Sequence, residues 1–210
     1  MKLFRLTFLT LLIPLTIKAQ TSPTRGMQYD PENALYWKIS NDSENLYIQL
    51  YKNEYAHKIN QPGGVWFFFN PKGQRDTVAV PALQYPIYKQ PMNLDVMAVY
   101  HFKDITNGEL PKYNAYGILT EGKLEEKEGT SFWNKNHLVY SSSLTIPLQY
   151  IQTGGSKLAI QILLKGRRIV PLPPGAVSPI LISTPTEKEV DDMLYATDIW
   201  THCWIDYEIR

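Results

Sequence analysis

The feature that most constrains this chain is a nearly unbroken period-two alternation of apolar and polar residues. Leu35, Trp37 and Ile39 share one face of a first run; Leu46, Ile48 and Leu50 share one face of a second, with Tyr47, Gln49 and Tyr51 turned away. Successive side chains of a strand point to opposite faces, so a strand with one buried side leaves this pattern in its sequence. The runs are short, and 15 prolines, 12 glycines and several Asn/Asp turns punctuate them. No long 3.6-residue periodicity competes. Short alternating strands between turn residues predict an all-β, antiparallel two-sheet β-sandwich, jelly-roll or immunoglobulin-like in general architecture.

The individual strands follow from the same pattern. Residues 35–39 and 46–51 make a hairpin across the polar turn Asn41-Asp42-Ser43-Glu44-Asn45, whose Asn and Asp side chains suit turn geometry. Val65-Trp66-Phe67-Phe68-Phe69 is apolar on both faces, which predicts a central strand covered on both sides. Asn70-Pro71-Lys72-Gly73 then turns into a strand over Asp76–Val80. Further strands are expected over 96–102, 115–120, 138–146, 158–164 and 199–209. The proline-rich stretches Pro81–Pro91 and Pro171–Pro179 read as rigid loops. Thr186-Glu187-Lys188-Glu189 is a capping box and predicts one short helix near the C-terminus, over about 187–194.

The ends bear on compartment. Lys2 and Arg5 precede the apolar run Leu6–Ile17, and Lys18-Ala19-Gln20 follows it. A run of about a dozen apolar residues is short for a bilayer span, which takes roughly 20, and suits a signal peptide. The expected organisation is a signal peptide over 1–19, a disordered lead-in over 20–26 and one sandwich domain over 27–210. No cysteine stands at the cleavage point for lipidation, so a periplasmic or secreted protein without a membrane span is expected. Loss of Lys2, Arg5 and Lys18 with the leader turns 21 basic against 20 acidic residues into a slight acidic excess. That balance argues against a nucleic-acid footprint, which needs a basic surface. The one basic cluster, Lys165-Gly166-Arg167-Arg168, reads as a solvated loop. Cys203 is the single cysteine, and its apolar strand setting reads as core.

Three segments carry a family resemblance. Leu35-Tyr36-Trp37-Lys38-Ile39-Ser40-Asn41-Asp42, then Asn45-Leu46-Tyr47-Ile48, then Gly63-Gly64-Val65-Trp66-Phe67-Phe68-Phe69-Asn70-Pro71-Lys72-Gly73 resemble the family-9 carbohydrate-binding-module-like domains within the DOMON-like sandwich group of exported bacterial proteins. Ile199-Trp200-Thr201-His202-Cys203-Trp204-Ile205 looks like the closing strand of such domains. The resemblance covers about a fifth of the chain plus that strand. It implies a two-sheet sandwich that binds a terminal sugar between aromatic rings, sometimes with structural calcium.

Candidate ligand residues come from aromatic placement. Trp200, His202 and Trp204 alternate on one face of the closing strand, a face that becomes charged at Asp206 and Glu208. Such a face reaches solvent, and its indoles suggest a flat sugar platform with His202 and Asp206 as hydroxyl partners; burial beneath the 171–179 loop or the short helix is the competing reading. Trp133, in the polar stretch around Asn134-Lys135-Asn136, and Tyr85 and Tyr88, in the proline-rich loop, are further candidates for a binding mouth. Trp66 and Phe68 read first as core.

Cofactor signals are sparse. The oxygen-rich 41–45 turn could supply part of a calcium site, although a plain turn explains it better and the EF-hand glycine and spacing are missing. Met92, Met97 and His101 are the residues a haem-binding relative would use, with Met97 and His101 on one strand face. His57, His101, His137 and His202 lack metal-ligand spacing. No nucleophile elbow, phosphate loop or zinc-protease motif occurs, and Glu125-Glu126-Lys127-Glu128 is too local to be a facing carboxylate pair. The reading is a non-catalytic binding domain: carbohydrate first, an envelope protein as the alternative, haem third.

Overall fold

A computed structural model describes residues 22–89, 92–128, 136–151, 155–166 and 199–210. The leader, Trp133, the 171–179 loop and the helix expected over 187–194 lie outside the described residues. In chain order the strands begin with β1 (Gln28–Asp30), β2 (Leu35–Asn41), β3 (Asn45–Lys52), β4 (Val65–Asn70) and β5 (Ala82–Gln84). They continue with β6 (Ile87–Tyr88), β7 (Met92–Asn93), β8 (Val96–Tyr100) and β9 (Gly108–Pro111). The last four are β10 (Leu119–Glu128), β11 (Asn136–Pro147), β12 (Lys157–Leu164) and β13 (Thr201–Glu208). One sheet runs β1-β2-β3-β11-β10, the other β13-β12-β4-β5-β8-β9, and β6-β7 is a small separate ribbon. Every pairing is antiparallel. The expected sandwich is therefore what the chain forms, and among the described residues no helix is long and apolar enough to cross a membrane.

Alternation places the core. Cys203, Ile162, Phe67, Leu83 and Val99 are register partners in one row across the six-stranded sheet, and the last four are all 0 % exposed. They meet Leu46, Ile48, Leu50, Leu144 and Ile146 from the other sheet. Fully burying one such side chain contributes roughly 1.5–3 kcal/mol, so the two facing rows dominate stability.

The structure corrects four local expectations, each for a local reason. Asp76–Val80 is not a strand. Lys72 N–H donates to Asn70 Oδ1 (2.9 Å), Asn70 Nδ2 to Asp76 O (3.1 Å) and Val78 N–H to Asp76 Oδ1 (3.0 Å). Side chains thus satisfy a backbone that a ladder would otherwise need, and Val78 is 77 % exposed. The next strand is instead β5, inside the stretch Pro81–Pro91 that reads as a loop. The prolines flank it, while Phe69 N–H donates to Pro81 O (2.9 Å) and Tyr85 N–H to Val65 O (3.0 Å).

Residues 115–118 likewise turn rather than extend. Asn114 accepts from Tyr116 N–H (3.0 Å) and donates to Ile118 O (2.6 Å), and Gly117 takes φ +71°, a left-handed conformation that glycine adopts freely. β4 is central, as expected, but its two faces differ. Val65, Phe67 and Phe69 are wholly buried, whereas Trp66 and Phe68 are half-buried on the outer side.

The turn at 41–45 is an Asp-centred turn. Asp42 Oδ1 accepts from Glu44 N–H (2.8 Å) and Asn45 N–H (2.7 Å), and Oδ2 from Tyr47 O–H (2.6 Å). Those bonds hold its carboxyl below the usual range, Tyr47 first. Both oxygens are committed within the turn, which favours the turn reading over a calcium ligand.

The interior also holds polar groups that alternation alone does not announce. Lys52 is the register partner of Tyr140 and, like it, is 0 % exposed. Its ammonium donates to the carbonyls of Asn33 and Ala34. Burial, with the charge of nearby Lys58, pushes its pKa down to about 7. Lys58 donates to Thr201 Oγ1 (2.9 Å) and is pushed down to about 8, again chiefly by burial.

Candidate functional site

The outer face of the six-stranded sheet carries a cluster of aromatic residues. Register aligns His202, Leu163, Trp66, Gln84, Ala98 and Glu109 in one row. Trp204, Gln161, Phe68, Ala82 and Tyr100 form the next. Trp66 stacks on Phe68 (centroids 5.9 Å, planes 13° apart) and on Tyr100 (5.4 Å, 20°). Trp66 and Tyr100 come from strands two positions apart in the sheet, about 9.6 Å across the ladder. β5 between them presents Gln84 beside Trp66 and only the methyl of Ala82 beside Tyr100, and the rings converge over it. Trp66 Nε1 donates to Gly63 O (2.9 Å), which fixes the indole.

A second indole joins at the head of this face. Lys165, just past β12, lies with its ammonium 4.3 Å from the Trp66 ring centroid and 5.0 Å from that of Trp200. Such cation–π contacts are worth about 0.5–1 kcal/mol each when exposed and about 2 when desolvated. Burial lowers the Lys165 pKa. Trp200 is 58 % exposed, an unusual state for a residue that is highly buried on average.

The sequence candidates fall out unevenly. Trp200 and His202 are exposed and Trp204 is half-buried, all at the outer side of β13. Their alternation holds, but the two indoles do not form one platform: four residues along a strand span about 13 Å. Trp200 is coupled to Trp66 through Lys165 instead. Tyr85 is no part of a mouth. It is wholly buried, donates to Leu94 O (3.0 Å) and packs on the Cα of Gly122, where a Cβ would lie 2.6 Å from its hydroxyl. Burial raises its pKa to about 12. Tyr88 stands in the separate β6-β7 ribbon, and Trp133 lies outside the described residues.

Four participants escaped the sequence reading: Lys165, Tyr100, Gln84 and Gln161. Lys165 reads there as a solvated loop charge, and only the pairing of β12 with both β4 and β13 brings it between two indoles. Met97 and His101 are not brought together: Met97 is 0 % exposed in the core, and His101 is exposed beyond the end of β8 with φ +57°. Cys203 is half-buried, and burial first of all pushes its thiol up to about 12, which makes it a poor nucleophile.

A cleft of about 960 Å³ opens at the opposite end of the same sheet, with Lys72, Asp76, His101 and Lys157 among its lining. Among the described residues no Trp, Tyr or Phe lines it. For a ligand held by stacking, the aromatic outer face is the better site. No family model, curated protein or solved structure matches the chain.

Proposed function

We propose that this chain is an exported, non-catalytic carbohydrate-binding domain, with its site on the outer face of the six-stranded sheet around Trp200, Lys165, Trp66, His202 and Trp204. The observation that supports it most is the exposed Trp200 ring held against the Lys165–Trp66 stack. Sugars present an apolar C–H face that fits an aromatic plane, and a rim of hydroxyls that needs donors and acceptors. Trp200 offers the plane; Lys165, His202, Gln84 and Gln161 offer the partners. Asp206, farther along β13, pairs with Arg75 at 2.8 Å, and Glu109, at the end of the Trp66 row, pairs with Lys89.

A glycan array with the protein, in calcium and then in chelator, tests the reading. Retention of at least one glycan is expected, and Trp200→Ala should weaken it by about 1–3 kcal/mol, a scale transferred from aromatic–nucleobase stacking. Equal binding by the variant, or no retention at all, sinks the proposal. Export is tested separately: the envelope-derived protein should begin near Gln20, and an intact Met1 would overturn the signal-peptide reading. Ile199, 45 % exposed beside Trp200, favours a second reading, an envelope protein docking on the same apolar patch. Binding to such a partner with an empty array would favour it.

A further inference from the structure

The cleft of about 960 Å³ at the far end of the six-stranded sheet is lined by two kinds of residue. Its cations are Lys72, in the turn after β4, and Lys157, the first residue of β12, with His101 also in the lining. Its apolar part is the run Val78, Ala79 and Val80 together with Ile151. The volume falls within the range of pockets for small organic molecules, about 300–1,000 Å³. Residues 152–154, Gln-Thr-Gly, follow Ile151 outside the described residues and carry no charge.

Local bonds place these groups. Asn70-Pro71-Lys72-Gly73 turns tightly: Lys72 N–H donates to Asn70 Oδ1 (2.9 Å) and Gly73 N–H to Asn70 O (3.1 Å). Gly73 takes φ +67°, and a Cβ on it would lie 3.0 Å from Lys157 Cβ. The missing side chain thus lets the turn that carries Lys72 rest on the start of β12 that carries Lys157. Both lysines are exposed, and among the described residues neither makes an ion pair, although Glu208 is the β13 register partner of Lys157. Asp76 is the one carboxylate in the described lining, and its Oδ1 accepts from Val78 N–H (3.0 Å). That bond, with Ala79 at φ +54°, holds Val78 outward at 77 % exposure. His101 is left-handed as well, at φ +57°. Non-glycine residues in this conformation are costly and cluster at ligand clamps.

We propose that this cleft is a second binding site, for an amphiphilic organic anion, with an acyl chain against Val78, Ala79 and Val80 and a carboxylate at Lys72 and Lys157. An ammonium–carboxylate contact is a charge-assisted hydrogen bond, roughly twice as strong as a neutral one. The apolar surface that Val78 exposes is what an acyl chain removes from water. An inorganic anion leaves the apolar run unused, and a neutral alcohol leaves the lysines unused. A sugar held by stacking finds no ring in the described lining and belongs to the aromatic face instead.

Titration calorimetry on the full chain tests both halves of the match, with decanoate below its micelle range set against 1-decanol, acetate and inorganic phosphate. Decanoate should bind saturably. The other three should each bind at least about tenfold more weakly, and Lys72→Met and Lys157→Met should each weaken decanoate by about tenfold, the scale of a lost hydrogen bond to a charged group. Both lysines are exposed, so these variants should fold, and their denaturant midpoints check that. Val78→Asp should weaken decanoate as well, and Trp200→Ala should leave it unchanged. In the native chain, decanoate should shift the amide signals of Val78, Ala79 and Ser156. Phosphate binding as tight as decanoate would reduce the cleft to an anion site, and decanol binding as tight would reduce it to an apolar one; either overturns the proposal. So do unchanged affinity in both lysine variants, no saturation by decanoate, or shifts confined to Trp200 and its neighbours. Glycan binding enters none of these readouts.

Discussion

Lys52 and Tyr140 face each other across the β3–β11 ladder, and neither exposes any surface. The pair makes the stability of this sandwich depend on pH in a definite direction. Lys52 has an ordinary value of 10.5 and a folded value of about 7, lowered mainly by burial. Between those values the unfolded chain binds a proton that the folded chain does not, so stability rises with pH. The full difference corresponds to roughly 5 kcal/mol at most, and Lys58 adds in the same sense from about 8 upward. Burial raises the folded values of Tyr85 and Tyr140, so above about pH 10, where free tyrosine ionises, the trend reverses. Urea unfolding should show stability climbing from pH 7 to about 9.5, with a flatter profile for Lys52→Met. A profile that falls over that interval, or is unchanged in the variant, contradicts the buried-lysine account.

Phe67 lies at the centre of the core row between Ile162 and Leu83 and is 0 % exposed. Phe67→Ala should lower stability by about 3–5 kcal/mol. Phe68→Ala, on the half-buried outer side, should lose clearly less. Denaturant midpoints of the two variants decide it, and equal losses would mean that the two faces of β4 are equally covered.

Asn41 ties the first hairpin to the chain end through Tyr207 O–H (2.7 Å), Arg210 N–H and Arg210 O. Asn41→Ala should lose about 1–2 kcal/mol, a few hydrogen bonds at about 1 kcal/mol each less solvent compensation. Amide exchange at Arg210 should speed up while the β12 amides keep their protection. Unchanged exchange at Arg210 would show that the Asn41 side chain does not hold its backbone.

Cys203 should resist alkylation at pH 8 in the folded protein, because burial lifts its thiol to about 12 and the thiolate is the reactive form. In denaturant it should react like a free thiol. Rapid labelling of the folded chain would place the residue outside the core.

The sequence by itself determined the class of fold and the inward side of most strands. Period-two alternation is a local property: Leu46, Ile48 and Leu50 must share a face whatever strand pairs with them. It also sufficed for the Asp42 turn, whose bonds lie within five residues. Where it misread 76–80 and 115–118, Asn70, Asp76 and Asn114 bonded the nearby backbone and removed the need for a ladder, a choice apolar spacing does not encode; at 81–91 the flanking prolines masked the short strand β5 between them. What only the tertiary structure decided is which strands are neighbours. The placement of β12 between β4 and β13 sets His202 and Trp66 in one row and Lys165 between two indoles. Tyr85 becomes core because Gly122, far along the chain, leaves room for its ring.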